Sequence, residues 1–117
     1  MENVRMEEYL VIQPHQASYN NPLIGREGDK LIPQKRNPQW PGWVWCDHPS
    51  GKSGWVPESW LHFENGHGIL QRDYDATERN VNPGDIFEIA CIESGWAWGS
   101  TAHGKEGWVP EYCLETM

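Results

Sequence analysis

Tryptophan is the residue type with the most chemical reach in this chain. Eight of its 117 residues are Trp, at positions 40, 43, 45, 55, 60, 96, 98 and 108. Indole rings are large apolar bodies that help to fill the thin core of a small folding unit, and where they stay exposed in a patch they mark a binding site. Other reactive types are sparse. Cys46, Cys91 and Cys113 are odd in number and irregular in spacing, which fits no disulfide framework and suits a reducing compartment. They read as small buried hydrophobes. His48 lies near Cys46 but has no second Cys/His pair at zinc spacing, so no metal site is expected. No Ser or Cys nucleophile is framed by a His and an orienting acid, and no Gly-rich phosphate loop or dinucleotide fingerprint is present. A non-catalytic chain without a cofactor is expected.

Charge narrows the partner. The chain carries 9 basic and 17 acidic residues, net -8. Residues 1–61 hold 6 Lys/Arg against 7 Asp/Glu, and residues 62–117 hold 3 against 10. Nucleic acid and anionic membrane require clustered cations, so both are poor partners, whereas an acidic second half favours a cationic one. The opening MENVRMEEYL shows no secretory signal, and no run approaches the roughly 20 apolar residues of a membrane span. The cytoplasm is the expected compartment.

The tryptophans sit in a repeat. Gly42–Leu61 (GWVWCDHPSGKSGWVPESWL) aligns without gaps to Gly95–Leu114 (GWAWGSTAHGKEGWVPEYCL), with 11 of 20 positions identical. Gly28-Asp29 matches Gly84-Asp85 further upstream, and the first copy has three extra residues in a Pro-rich loop at 36–41. Two consecutive domains are expected, 1–63 and 69–117, joined by a short polar linker at 64–68.

Helix signals are nearly absent, because Pro and Gly interrupt the chain too often. Strands are expected at Leu10–Gln13, Lys30–Gln34, Trp43–Asp47 and Gly54–Pro57 in the first copy. Ile69–Tyr74, Ile86–Ile92, Trp96–Thr101 and Gly107–Pro110 are their counterparts in the second. Ser50-Gly51 and His103-Gly104 mark hairpin tips, Gly54 and Gly107 a bulge or close backbone approach, and Pro57 and Pro110 the ends of their strands. Alternation puts Val44, Ala97, Val56 and Val109 inside a tight barrel and turns Trp43, Trp45, Trp55, Trp96, Trp98 and Trp108 outward, where exposed aromatics mark a binding site.

These residues resemble an SH3 (Src homology 3) domain, twice over. Asp73-Tyr74-Asp75-Ala76 resembles the end of the family's ALYDY motif, and Gly84-Asp85 the Gly-acid pair after the RT loop. Gly95-Trp96 resembles the groove tryptophan after the n-Src loop, and Gly107-Trp108-Val109-Pro110 the family's Gly-Tyr/Trp-Ile/Val-Pro. The pattern covers Gly68 to Glu115 and, more loosely, Tyr9 to Leu61; tandem proteins of bacteria are the nearest type. The resemblance implies an all-β chain of two consecutive five-stranded barrels, each gripping a protein or peptide segment, Pro-rich and basic, in an aromatic groove flanked by acids. It assigns Tyr74, Trp96, Trp108 and Pro110, with Glu78 or Asp75 as the acid, to the second groove. It assigns His15, Trp43, Trp55, Pro57 and Trp60 to the first. Arg72 replaces the first ALYDY tyrosine and Cys113 the last groove tyrosine, departures from the usual pair of proline pockets.

Alternatives of other classes accompany this reading. The grooves could be filled by the loop at 36–41, by packing between the repeats or by a second chain, making an assembly protein. A cell-wall (peptidoglycan) module is a third class, since Trp stacks well on sugars.

Overall fold

The computed structural model describes residues 7–19, 21–38 and 40–117. Among the described residues twelve short strands run in chain order: β1 (Glu7–Val11), β2 (Ile24–Gly25), β3 (Lys30–Gln34), β4 (Trp43–Asp47), β5 (Ser53–Pro57), β6 (Leu61–Glu64), β7 (His67–Leu70), β8 (Tyr74–Asp75), β9 (Ile86–Glu93), β10 (Trp96–Thr101), β11 (Glu106–Pro110) and β12 (Leu114–Thr116). Single 3-10 turns at Glu58–Trp60 and Glu111–Cys113 follow the prolines that close β5 and β11. Proline lacks the N–H needed to continue the ladder, so the strand stops there. The chain is all-β. Among the described residues no helix is long and apolar enough to cross a membrane.

The strands form two five-stranded antiparallel sheets, ordered β11-β10-β9-β1-β12 and β5-β4-β3-β7-β6, and a two-stranded ribbon of β2 with β8. The chain accordingly divides into two compact units. One, here the split unit, combines residues 1–18 with 78–117; the other, the inserted unit, is the continuous stretch 19–77. This grouping differs from the consecutive division at 63 and 69. Strand β1 opens the chain yet pairs with β9 and β12, with Tyr9 opposite Phe87 and Thr116. Strand β7, expected to open the second copy, pairs with β3 and β6.

The expected linker at 64–68 is instead part of a hairpin. β6 and β7 are joined across Asn65-Gly66, with positive φ at both residues (50° and 79°). Asn-Gly adopts such a turn readily, because its twist matches that of the flanking strands. The turn folds β7 back on β6 before the chain can leave the unit. The two anticipated tips are present as well, with φ of 92° at Gly51 and 80° at Gly104.

Each unit closes over apolar side chains. In the split unit Val11, Val81, Phe87, Ala97, Val109 and Cys113 form one buried cluster, with Ile89 and Leu114 packed against it. In the inserted unit Leu23, Leu31, Cys46, Val56, Leu70 and Tyr74 are buried. The expectation that valine turns inward holds for Val56 and Val109, both fully buried, but Val44 is only half-buried. Register slips between β9 and β10 at Trp98/Gly99, leaving Ala90 as the extra residue of a bulge.

Candidate peptide-binding surfaces

The second hairpin of each repeat builds the same aromatic ladder. Trp43 faces Pro57 and Trp45 faces Trp55 across β4 and β5; Trp96 faces Pro110 and Trp98 faces Trp108 across β10 and β11. The ring pairs meet edge to face, with centroids 5.3 Å apart for Trp45/Trp55 and 5.5 Å for Trp98/Trp108. This geometry suits the ring quadrupoles. Trp55 and Trp108 thus serve the hairpins that build each unit, and Trp108 is 2% exposed, against the expectation that its ring faces solvent.

The strand exchange redistributes the expected site residues. Tyr74 belongs to the inserted unit, beside Trp60 (centroids 5.5 Å, edge to face), and its hydroxyl donates to the Trp55 carbonyl at 2.6 Å. His15 belongs to the split unit, where its ring meets Trp96 at 5.4 Å. The groupings expected from the resemblance, Tyr74 with Trp96 and His15 with Trp43 and Trp60, are therefore reversed. The cause is that β1 and β7, which carry these residues on their C-terminal sides, occupy each other's sheets. Asp75 stays with Tyr74 and caps its own turn, its Oδ1 accepting the Thr77 N–H at 2.9 Å. Glu78 lies in the split unit, so the two candidate acids belong to different units.

In the split unit, Trp96 is half-buried and sits next to His15, with Pro110 fully buried opposite it. Glu78 is a covered acid rather than an open one. Its Oε1 bonds His15 Nε2 at 2.8 Å and accepts the Ser18 N–H at 3.2 Å, and its side chain is 12% exposed. Cys113, where the family has a tyrosine, is fully buried, while Tyr112 beside it is half exposed. Tyr112 was not legible as a site residue because the repeat aligns Cys113, not Tyr112, with Trp60. Burial raises the Cys113 thiol above its ordinary value.

The inserted unit differs in its aromatic surface. Trp43 and Trp45 are only 7% and 8% exposed, against the expectation that both rings face solvent. Trp45 is covered by the chain itself. The Arg36 guanidinium lies 4.1 Å above its ring, and Tyr19 packs on it at 4.9 Å while accepting the Trp55 indole N–H at 3.3 Å. The Arg72 guanidinium lies 4.0 Å over Trp60. Arg72 stands where the resemblance places the family's first groove tyrosine, and its cation covers the Trp60 ring. Arg36 and Tyr19 carry no motif, and nothing in the repeat could have flagged them. Asp29 braces the loop below: it accepts the Arg26 N–H at 2.9 Å and bonds His48 Nε2 at 2.8 Å, which together hold its carboxyl below the usual range. Among the described residues no group of three His, Cys, Asp or Glu is placed to hold a metal ion.

Residues 9–64 match the family model of the variant SH3 domain. No curated protein and no solved structure matches the chain. The matched stretch begins with β1 in the split unit and ends with β6 in the inserted one. The match suggests a protein-binding module in general, since SH3 domains bind peptide or protein ligands and are non-catalytic.

Proposed function

We propose that this protein is a non-catalytic peptide-binding module with two SH3-like barrels, and that the split unit carries the working site. The observation that carries this reading is the half-buried Trp96, with the His15 ring against it and Pro110 opposite it across the hairpin. Charge supports it. The split unit holds 10 Asp/Glu against 3 Lys/Arg, net -7, whereas the inserted unit holds 7 against 6, net -1. A field of that sign steers a basic segment toward the split unit. An extended, Pro-containing peptide presents flat apolar rings at low entropic cost and suits an aromatic surface. Contacts of this size give dissociation constants of about 1–100 μM, or roughly -8 to -5.5 kcal/mol. Titration of Pro-rich, Arg-bearing peptides, followed by indole fluorescence and amide shifts, tests the reading. Trp96→Ala should weaken binding at least tenfold and Trp43→Ala should leave it within twofold. Absence of binding, or binding indifferent to Trp96→Ala, removes the proposal.

A structural role is favoured for the inserted unit by one specific feature, the covering of Trp45 and Trp60 by Arg36 and Arg72. Its aromatic face is then closed by the chain's own cations, and the unit acts as a scaffold.

A further inference from the structure

The two units dock their exchanged strands through the same backbone contacts. In the split unit the Val11 N–H donates to the Asp85 carbonyl at 2.9 Å, and the Gly84 N–H to the Val11 carbonyl at 2.9 Å. In the inserted unit the Leu70 N–H donates to the Asp29 carbonyl at 3.0 Å, and the Gly28 N–H to the Leu70 carbonyl at 2.8 Å. Four residues on, His15 bridges Val81 and Tyr74 pairs with Gly25. The acid of each turn accepts an equivalent N–H, Asp85 from Asn82 at 2.8 Å and Asp29 from Arg26 at 2.9 Å. Val11 therefore corresponds to Leu70, Val81 to Gly25, and Glu78 to Pro22. As far as the backbone is concerned, β1 and β7 could each serve either sheet.

Side chains break this degeneracy. A Cβ placed on Gly25 would stand 2.6 Å from Leu70 Cδ1, closer than any real contact. Any side chain at 25 thus obliges the buried Leu70 to shift from its place. The split unit has Val81 there, matched to the shorter Val11 in the same buried cluster. In the opposite pairing Leu70 would run into Val81, and Val11 would leave a void over Gly25; both overpacking and cavities are penalised. Polar partners select in the same direction. His15 has the Glu78 carboxylate within 2.8 Å, and in the other unit it would meet Pro22, which offers no acceptor side chain.

We infer that the pairs Val11/Val81, Leu70/Gly25 and His15/Glu78 form a matching code that makes the chain exchange β1 and β7 between its units instead of folding as two consecutive domains. The code also decides which aromatic site each of His15 and Tyr74 completes.

Two measurements on the full chain test it. Cross-strand nuclear Overhauser contacts report connectivity directly: Leu10 with Ile86 and Ile69 with Lys30 are expected, and Leu10 with Lys30 would overturn the inference. Coupled substitutions report the code. Gly25→Ala should lower Tm by at least about 5 °C, and adding Leu70→Val should recover half of that loss or more. Adding Val11→Ala to Gly25→Ala instead should recover none. Recovery from the change at 11, or none from the change at 70, would show that size matching at these positions does not choose the partner strand.

Discussion

Gly99 shows how tightly the split unit constrains a single residue. A Cβ there would collide with the carbonyl oxygen of Glu88 and lie 2.8 Å from the Phe87 ring, beside the bulge that Ala90 creates. Backbone cannot yield as a flexible side chain can, so Gly99→Ala should cost about 3 kcal/mol in urea unfolding. A loss under half that would mean that the bulge relaxes. Cys46 is a second residue whose setting dictates its behaviour. It is fully buried, and burial, with the Asp47 charge adding to it, pushes its thiol up to about 12 from the ordinary 9.0. The folded state thus keeps a proton that the unfolded chain releases. Stability associated with this thiol is complete below pH 9.0 and is lost as pH rises toward about 12. Alkylation at pH 8 should leave Cys46 unmodified in the native chain and label it on denaturation. Rapid native labelling would contradict the burial.

Strand positions were largely legible, because they depend on local signals. Lys30–Gln34, Trp43–Asp47 and Trp96–Thr101 are strands over the expected spans, and Pro57 and Pro110 end theirs. The coverage of the indoles was not legible, since Tyr19 and Arg36 reach Trp45 from residues with no pattern of their own. Asn65-Gly66 was the missed local signal. Reading it as linker rather than turn left β6 and β7 unpaired and made a consecutive division look natural. The turn now carries an expectation at this scale. Gly66 has φ 79° with open space around its Cβ position, so Gly66→Ala meets only the left-handed backbone penalty. A loss of about 1 kcal/mol should follow, with the same register of β6 on β7 seen by amide exchange.

Connectivity was illegible for a different reason. A repeat announces that two similar units exist, but it is silent about which copy of a strand each unit takes, because both copies satisfy the same backbone ladder. The choice rests on contacts between residues far apart in sequence, such as Gly25 with Leu70 and His15 with Glu78. It has a consequence for the whole molecule. Residues 19–77 contain β2 to β8, the 3-10 turn and the buried Leu23, Leu31, Val56 and Leu70, so this continuous stretch holds every strand of its unit. The split unit needs chain from both ends, since β1 lies between β9 and β12 in its sheet. A fragment of residues 19–77 should therefore fold cooperatively alone, with dispersed amide signals and a single thermal transition. A fragment of 64–117 lacks β1 and leaves the facing edges of β9 and β12 without their partner, so it should be unfolded or aggregated. A unit of about 60 residues has little stability to spare, and removing a central strand exceeds that margin. The outcome that would reverse this account is equally concrete: a folded 64–117 beside an unfolded 19–77 would mean that β7 can serve the sheet of β9, and that the units are consecutive after all.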